Sequence, residues 1–169
     1  MDRVVNLFME SLESPFLTDF SVFVDKVFNP EFLIVLGVLI SCYFFYKKSW
    51  KKGFVVSGTL VLAGVLVAIF KEVFMKFRPL NPLIETTGYS FPSGHVTISV
   101  VFFGLFVYLL SLGREIKTKA CFYALFILLI LLVSFSRMYL RVHWFTDVLF
   151  SLVLGGLILL IGVVVLRKV

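Results

Sequence analysis

Long apolar runs separated by short polar segments dominate the chain. Five such runs occur, at about 32–46, 54–76, 94–112, 119–135 and 144–166. An α-helix needs about 20 predominantly apolar residues to cross a bilayer, and four of the runs come close to that length or exceed it. The first run is shorter, so that either its helix begins earlier, near Phe28, or the bilayer thins around it. The pattern therefore predicts an all-α, polytopic membrane helix bundle with about five transmembrane helices.

The first thirty residues are too polar to span a membrane, yet apolar side chains recur in them at helical spacing. The apolar positions are Phe16, Leu17, Phe20, Val24, Val27 and Phe28, and the polar positions opposite them are Thr18, Asp19, Asp25 and Lys26. This pattern predicts an amphipathic helix at the membrane interface, with a second, shorter amphipathic turn before Pro15. A disordered leader is the alternative. We divide the chain into an amphipathic interfacial N-terminal segment, residues 1–30, and a single transmembrane domain, residues 31–169.

Composition supports a membrane protein and excludes other classes. The chain is 60% hydrophobic and only 15% charged, far outside the range of soluble domains. Its net charge of +6 resides in lysines and arginines between the apolar runs rather than on a solvated face, so nucleic-acid binding is not predicted. Cys42 and Cys121 have no CxxC partner and no ligand cluster nearby, so neither a disulfide nor a metal site is predicted.

The basic residues between the runs predict the orientation in the membrane. If the helices alternate in direction, nine of the sixteen basic residues fall on one side. These nine are Lys47, Lys48, Lys51, Lys52, Arg114, Lys117, Lys119, Arg167 and Lys168. Cytoplasmic loops carry an excess of Lys and Arg, so this side, with the C-terminus, is predicted to be cytoplasmic. The N-terminus and the loops 77–93 and 136–143 then lie outside.

Ionisable residues gather near the helix ends on this outer side, where each is costly at membrane depth. Six of them come from three separate stretches, namely Lys71, Arg78, His95, Arg137, His143 and Asp147. Alternating topology brings all six to the same membrane face. Their convergence predicts a site that combines acid and base groups with cations able to bind an anion.

Lys71 and Arg78 are seven residues apart, which is about two helical turns. Both side chains can therefore project from one face at the outer end of the second span, before Pro79 stops the helix. Two fixed cations at that position suit a phosphate group. Snorkelling of the long side chains to the interface is the alternative, and Lys76 fits that alternative better.

The sequence Pro92-Ser93-Gly94-His95 opens the third span. Pro favours a helix start, and Ser and Gly allow backbone N–H groups to face an anion at the helix N-terminus. His95 in the first turn would stand beside a bound phosphate and could donate a proton to a leaving alkoxide. The alternative is that Ser93 merely caps the helix and His95 is an interfacial histidine.

His143 and Asp147 are separated by four residues, and we place both in the first turn of the fifth span. Their side chains can therefore meet. A carboxylate hydrogen-bonded to one imidazole nitrogen fixes the tautomer and leaves the other nitrogen basic, as nucleophilic catalysis requires. The alternative is a His–Asp pair that only tethers two helices.

Together these residues resemble the three-part signature of the type 2 phosphatidic acid phosphatase superfamily. The parts are Lys71-x6-Arg78-Pro79, Pro92-Ser93-Gly94-His95 and Ser136-Arg137-x5-His143-x3-Asp147. The match covers residues 71–147 in the expected order and has no departure at a signature position, which makes it specific. One difference concerns architecture, because membrane relatives usually have six spans and five are counted here.

The resemblance implies a role for each matched residue. His143 attacks phosphorus, Asp147 orients His143, and His95 protonates the departing oxygen. The phosphoryl oxygens are bound by Lys71, Arg78 and Arg137, with help from Ser93 and the Gly94 N–H. Because attack needs a neutral His143 and departure needs a charged His95, we predict a bell-shaped pH dependence.

The resemblance also implies a small bacterial-type lipid phosphatase of the inner membrane that works at the periplasmic face without a metal or any other cofactor. Its partners would be a lipid phosphate substrate and the surrounding membrane lipids, and no protein partner is implied. Candidate substrates are lipid A 1-phosphate, undecaprenyl pyrophosphate, phosphatidylglycerol phosphate and phosphatidic acid, of which we favour the first two.

Three other functions would use some of the same residues. A lipid phosphotransferase would share the first half of the reaction and differ only in the acceptor. An anionic-lipid transporter or flippase would need polar residues leading to an inner opening, whereas the inner halves of the runs are apolar. An intramembrane serine protease built on Ser93 would leave Lys71, Arg78 and Arg137 unexplained.

Overall fold

The computed structural model describes residues 1–168, and this part of the chain contains seven α-helices and no strand. The helices are α1 (Asp2–Ser11), α2 (Pro15–Val27), α3 (Pro30–Tyr46), α4 (Trp50–Phe74), α5 (Gly94–Ser111), α6 (Ile116–Tyr139) and α7 (Phe145–Arg167). The all-α prediction is therefore confirmed.

Five of the described segments are long and apolar enough to cross a membrane. They are α4, α5, α6, α7 and the stretch Pro15–Tyr46, which comprises α2 and α3. The chain bends between α2 and α3 at Asn29, whose side-chain oxygen accepts a hydrogen bond from the Glu31 N–H at 2.8 Å, with Pro30 in the first position of α3. This cap starts α3 at Pro30 and lengthens the first predicted apolar run.

Helix α5 lies at the centre of the bundle and packs against α3, α4, α6 and α7. Most of its residues are buried, and Ile98, Val101 and Leu105 are in the main apolar core. Helix α7 approaches α5 closely at Gly155, where an added Cβ would lie 2.8 Å from the Cβ of Val100. The centre of the bundle thus holds the N-terminus of α5 in a fixed position relative to α4 and α7.

The first thirty residues form helices α1 and α2, as their periodicity predicts, and both helices pack against α6. Two apolar side chains of α2, Phe16 and Phe23, are exposed. By contrast, Ser21 of α2 is buried, and its carbonyl accepts a hydrogen bond from the Ser136 hydroxyl at 2.9 Å. Polar groups of α2 therefore face the protein, and the placement of this segment at a membrane interface stays a prediction.

Helix α4 ends earlier than the sequence suggests. Its last residue is Phe74, and Met75 follows in the left-handed conformation with φ of +44°. The chain then pairs with the segment before α5, because the Ser90 N–H donates to the Lys76 carbonyl at 2.8 Å. Arg78 therefore lies in a loop, and the prediction that Lys71 and Arg78 share one helix face is wrong.

Candidate active site

The ends of four helices meet around a cavity of about 790 Å³. These are the C-terminal ends of α4 and α6 and the N-terminal ends of α5 and α7, which alternation of the helices brings to one end of the bundle. Six of the eight predicted site residues line the cavity, namely Lys71, Arg78, Gly94, His95, Arg137 and His143. The other two, Ser93 and Asp147, are fully buried behind it.

His143 lies in the short loop before α7, not in its first turn as predicted, because α7 begins at Phe145. Its Nδ1 atom is 2.6 Å from the carbonyl oxygen of Ser90. A carbonyl can only accept, so Nδ1 carries the hydrogen and Nε2 of the neutral ring has the free lone pair. Consistent with this tautomer, Nε2 lies 3.5 Å from Nη1 of Arg78, a donor.

Burial decides the charge of His143. The side chain is almost completely buried, and this desolvation lowers the pKa of His143 to about 3, with help from the charges of Arg137, Arg78 and Lys71 and against the Asp147 carboxylate. The imidazole is therefore neutral at pH 7. A neutral, oriented imidazole is the form in which histidine acts as a nucleophile.

Asp147 does not form the direct hydrogen bond to His143 that the sequence predicts. Its Oδ2 atom is 3.7 Å from Nδ1 of His143, which is too long for a hydrogen bond. Oδ2 instead accepts from the backbone N–H of Trp144 at 3.0 Å and so caps α7, while Oδ1 accepts from Nζ of Lys76 at 2.7 Å. The Ser90 carbonyl takes the position beside Nδ1, and the Asp147 charge lies just behind the ring.

Lys76 is a partner of Asp147 and not a snorkelling side chain. Besides the ion pair with Asp147, Nζ of Lys76 donates to the Thr146 hydroxyl at 2.8 Å and lies 3.3 Å from the Asp2 carboxylate. The sequence analysis favoured snorkelling for Lys76. A signal was nevertheless available, since a carboxylate buried in an apolar helix requires a nearby cation.

Arg78 and Lys71 are held mainly by backbone carbonyls of the loop before α5, together with the Val142 carbonyl from the loop before α7. Arg78 donates to the carbonyls of Gly88 at 3.1 Å, Thr87 at 3.0 Å and Val142 at 2.7 Å, and Lys71 donates to the carbonyl of Tyr89. Burial lowers the pKa of Arg78, which remains a cation at neutral pH. The loop thus presents two fixed cations to the cavity.

His95 and Arg137 share a partner that the sequence analysis did not include in the site. The Oδ1 atom of Asp25, on α2, lies 3.1 Å from Nε2 of His95 and also accepts a hydrogen bond from Nη1 of Arg137. The Arg137 side chain is only 3% exposed. Sequence patterns missed Asp25 because it falls on the polar side of an amphipathic helix, where a carboxylate is ordinary.

The start of α5 is built differently from the predicted phosphate cradle. The Ser93 N–H donates to the hydroxyl of Ser151 at 2.8 Å, so it is not free for a ligand. The Ser93 hydroxyl does not cap α5 and, within residues 1–168, has no hydrogen-bond partner. Gly94, the first residue of α5, lines the cavity, which leaves this helix N-terminus as the part of the motif that faces a bound anion.

Within the described residues, no group of three or more His, Cys, Asp or Glu side chains is arranged to hold a metal ion. The positive charges at the cavity are those of Lys71, Arg78 and Arg137, which suit the oxygens of a phosphoryl group. The arrangement combines a neutral buried histidine, a second histidine beside a carboxylate, and three cations. It can support nucleophilic transfer of a phosphoryl group.

Comparison with known proteins gives the same family in sequence and in structure. A family model described as PAP2 superfamily matches residues 52–169. Phosphatidylglycerophosphatase B of Bacillus subtilis (strain 168) is 30% identical over 166 residues, which cover 93% of this chain and 79% of the relative. Undecaprenyl-diphosphatase of Sulfolobus acidocaldarius is 34% identical over 125 residues, which cover 70% of this chain and 57% of the relative.

A solved structure has nearly the same fold. The crystal structure of a transmembrane PAP2 type phosphatidylglycerolphosphate phosphatase from Bacillus subtilis superposes with a TM-score of 0.90 at 28% sequence identity. The match covers 99% of this chain and 85% of that chain. The helix order found here, including α1 and α2, is therefore shared with a membrane phosphatase.

Proposed function

The chain belongs to the PAP2 superfamily and is a multi-pass membrane protein of its lipid phosphatase branch, and we propose that it hydrolyses a lipid phosphate through a phosphohistidine formed on His143. The observation that carries the proposal is the single cavity lined by both histidines of the chain and by three cations. Phosphoryl transfer needs an in-line nucleophile and neutralised equatorial oxygens, and these residues supply both.

In the proposed first step, Nε2 of His143 attacks phosphorus. The N–P bond forms as the bond to the lipid oxygen breaks, and His95 gives that oxygen a proton so that a neutral alcohol departs. The hydrogen bond from Nδ1 to the Ser90 carbonyl keeps the lone pair on Nε2, and the buried Asp147 charge offsets the positive charge that develops on the ring. Lys71, Arg78 and Arg137 bind the phosphoryl oxygens throughout.

In the proposed second step, water attacks the phosphohistidine. His95, now neutral, accepts a proton from the water, the N–P bond breaks, and inorganic phosphate is released. His143 returns to its neutral form and His95 to its charged form, so the cycle closes without a net change in the protein. Ser93 and the Gly94 N–H at the start of α5 are proposed to hold a phosphoryl oxygen in both steps.

We further propose that the reaction needs no metal ion. In many phosphoryl-transfer enzymes a divalent cation neutralises the phosphate charge and is held by carboxylates. Here three basic side chains line the cavity. The partly buried carboxylate of Asp25 and the fully buried one of Asp147 are already engaged with Arg137 and Lys76. Activity in excess EDTA tests this part of the proposal directly.

The proposed orientation places the cavity at the non-cytoplasmic face of the plasma membrane. Nine of the sixteen basic residues lie at the opposite end of the bundle, in the connections, in the adjoining helix ends and near the C-terminus. This asymmetry supports a cytoplasmic location for that end. The active site would then work on lipids of the outer leaflet, which in a bacterial inner membrane faces the periplasm or the outside.

For the substrate, we propose a lipid phosphomonoester of the phosphatidylglycerol phosphate kind. A relative that matches over 93% of this chain and 79% of its own length is named for phosphatidylglycerophosphate, and the crystal structure with a TM-score of 0.90 is that of a phosphatidylglycerolphosphate phosphatase. Undecaprenyl pyrophosphate is the second candidate, because a relative that is 34% identical over 125 residues is an undecaprenyl-diphosphatase. This order differs from the one favoured by the sequence alone.

The test is phosphate release by the purified protein in detergent with EDTA, from phosphatidylglycerol phosphate, undecaprenyl pyrophosphate, lipid A 1-phosphate and phosphatidic acid. The wild type should release phosphate, most rapidly from the first lipid. The variant His143→Ala, with an unchanged elution volume and melting temperature, should show no release above background. Normal release by this variant would exclude the phosphohistidine, and no release by the wild type would favour a transporter or transferase.

A further inference from the structure

One carboxylate oxygen of Asp25 contacts two other side chains. Its Oδ1 atom accepts a hydrogen bond from Nη1 of Arg137 and lies 3.1 Å from Nε2 of His95. Nε2 of His95 is buried, and within residues 1–168 it has no hydrogen bond of acceptable angle, so the contact with Asp25 is one of charge and proximity. The carboxylate thus joins the residue proposed as the general acid to one of the phosphate-binding cations.

The position of Asp25 is set by the docking of α2 on α6. The Ser136 hydroxyl donates to the carbonyl of Ser21, one turn before Asp25, at 2.9 Å. At the start of α2, the Tyr139 hydroxyl lies 3.1 Å from that of Thr18. Val24 is buried in an apolar cluster with residues of α5, α6 and α7. Asp25 is therefore held beside His95 by contacts of the residues that precede it on α2.

Charged and titratable side chains face His95 from the elements around the cavity. Lys71 comes from α4, Arg78 from the loop before α5, Arg137 from α6, neutral His143 from the loop before α7, and Asp25 from α2, while Glu72 and Glu85 stand exposed at the cavity wall. Three cations oppose a positive charge on His95. The carboxylate of Asp25, which lies 3.1 Å from Nε2 of the ring, is the negative charge that acts against them.

We propose that Asp25 is a positioning residue that keeps His95 protonated and holds its ring with Nδ1 toward the departing lipid oxygen. The proposal rests on the proposed function, in which His95 is the general acid. When the leaving oxygen takes the proton from His95, the imidazolium becomes neutral and Asp25 keeps its own charge. His95 and Asp25 would form a histidine–carboxylate pair for the acid, with the carboxylate supplied by a helix outside the signature motifs.

The leaving group provides the test. An alkyl phosphate needs protonation of its oxygen, whereas p-nitrophenyl phosphate has a leaving group that departs without a proton. The ratio kcat/KM reports only the steps up to the phosphohistidine, so the later hydrolysis does not enter. We would measure kcat/KM for a short-chain phosphatidylglycerol phosphate and for p-nitrophenyl phosphate, with wild type, Asp25→Asn, Asp25→Glu and the control Asp19→Asn, an exposed position on the same helix.

Asp25→Asn should lose about 10- to 100-fold in kcat/KM on the lipid and less than about 3-fold on p-nitrophenyl phosphate. Asp25→Glu keeps the charge and should restore the ratio of the two values to within about 3-fold of the wild type, and Asp19→Asn should match the wild type on both. The alkaline limb of the lipid profile should move to lower pH in Asp25→Asn. If Asp25→Asn does not fold, Asp25→Ala, which also lacks the carboxylate, is measured on both substrates in its place.

Three results would overturn the proposal. Equal losses on both substrates would mean that Asp25 only anchors Arg137 or the fold. A gain on both substrates, with tighter inhibition by inorganic phosphate, would mean that Asp25 occupies the phosphate site and competes for it. An unchanged ratio and pH profile would remove any role. Failure of the proposed function is distinct, because the wild type would then release phosphate from neither substrate.

Discussion

The two histidines of the cavity are held by different parts of the molecule. His143 is oriented by a backbone carbonyl, that of Ser90, and has Asp147 behind it from the next helix turn. His95 lies beside Asp25, which comes from a helix near the start of the chain. His143 is almost completely buried and its ring is neutral, while the ring of His95 is partly exposed and lies 3.1 Å from a carboxylate oxygen.

This difference corresponds to different chemical demands. A nucleophile must keep a free lone pair, and burial with one fixed hydrogen bond is enough for that. A general acid must carry a proton while it stands among cations, and for that a nearby negative charge is needed. The comparison therefore predicts that removing a carboxylate will have different consequences at the two histidines.

The largest effect is expected for Asp147→Asn. The amide can still accept from the Trp144 N–H and cap α7, but it cannot offset the positive charge that forms on His143. We expect kcat/KM to fall by about two to four orders of magnitude on the lipid and on p-nitrophenyl phosphate alike, with the fold retained. A loss below about 10-fold would show that the Ser90 carbonyl alone is sufficient to prepare His143.

A smaller effect is expected for Lys76→Met. The side chain of Asp147 is fully buried, and the change removes the cation 2.7 Å from it. Leaving a buried charge unpaired should destabilise the protein by about 3 kcal/mol and lower kcat/KM by about 10-fold. Thermal unfolding in detergent measures the first value, and Lys26→Met, an exposed position on α2, is the control. The double variant Lys76→Met/Asp147→Asn should recover stability, and failure to do so would contradict the pairing.

Tyr139→Phe tests the docking of α2 away from the cavity. The buried Tyr139 hydroxyl accepts from the Ser14 N–H at 3.0 Å and contacts the Thr18 hydroxyl at 3.1 Å. Loss of these bonds should cost about 1–2 kcal/mol of stability. Because Ser136 still holds Ser21, kcat/KM should stay within about 3-fold. A loss as large as that of Asp25→Asn would mean that docking of α2, and not the Asp25 carboxylate, controls His95.

The smallest effect is expected on the acid side of the pH profile. The pKa of His143 is lowered to about 3, so the ring stays neutral as pH falls from 7 to about 4.5. The protonation of the substrate phosphate is measured by its ³¹P chemical shift. After correction for this protonation, kcat/KM should not change over this pH range. The acidic limb of the bell-shaped pH profile that the sequence predicts is therefore expected below the measured pH range, and the alkaline limb is expected within it. A limb near pH 6 in the corrected profile would contradict a buried, neutral His143.

Much of the architecture can be predicted from the sequence. The five apolar segments and the all-α class follow from the length of helix that a bilayer requires, which is a local property of each run. The spacing of Lys71, Arg78, His95, Arg137, His143 and Asp147 was enough to identify the family, and alternation of the helices was enough to predict that these residues meet. The catalytic and binding roles of these residues remain proposals.

The details of the cavity depended on the tertiary structure. Every residue has a carbonyl, so nothing in the sequence distinguishes the Ser90 carbonyl that orients His143. Helix α4 ends at Phe74, and the chain after it pairs with the segment before α5. The spacing of Lys71 and Arg78 alone could not show that only Lys71 lies on the helix.

The helices, the family and the set of chemical groups follow from the sequence, because they depend on hydrophobic length and on residues close together in the chain. The pairing of the charges follows from the packing of the helices. Lys76 meets Asp147, and Asp25 meets both Arg137 and His95, across separations that local periodicity cannot encode. A buried charge pairs with the opposite charge that the packing of the helices places next to it, and this packing depends on the whole bundle.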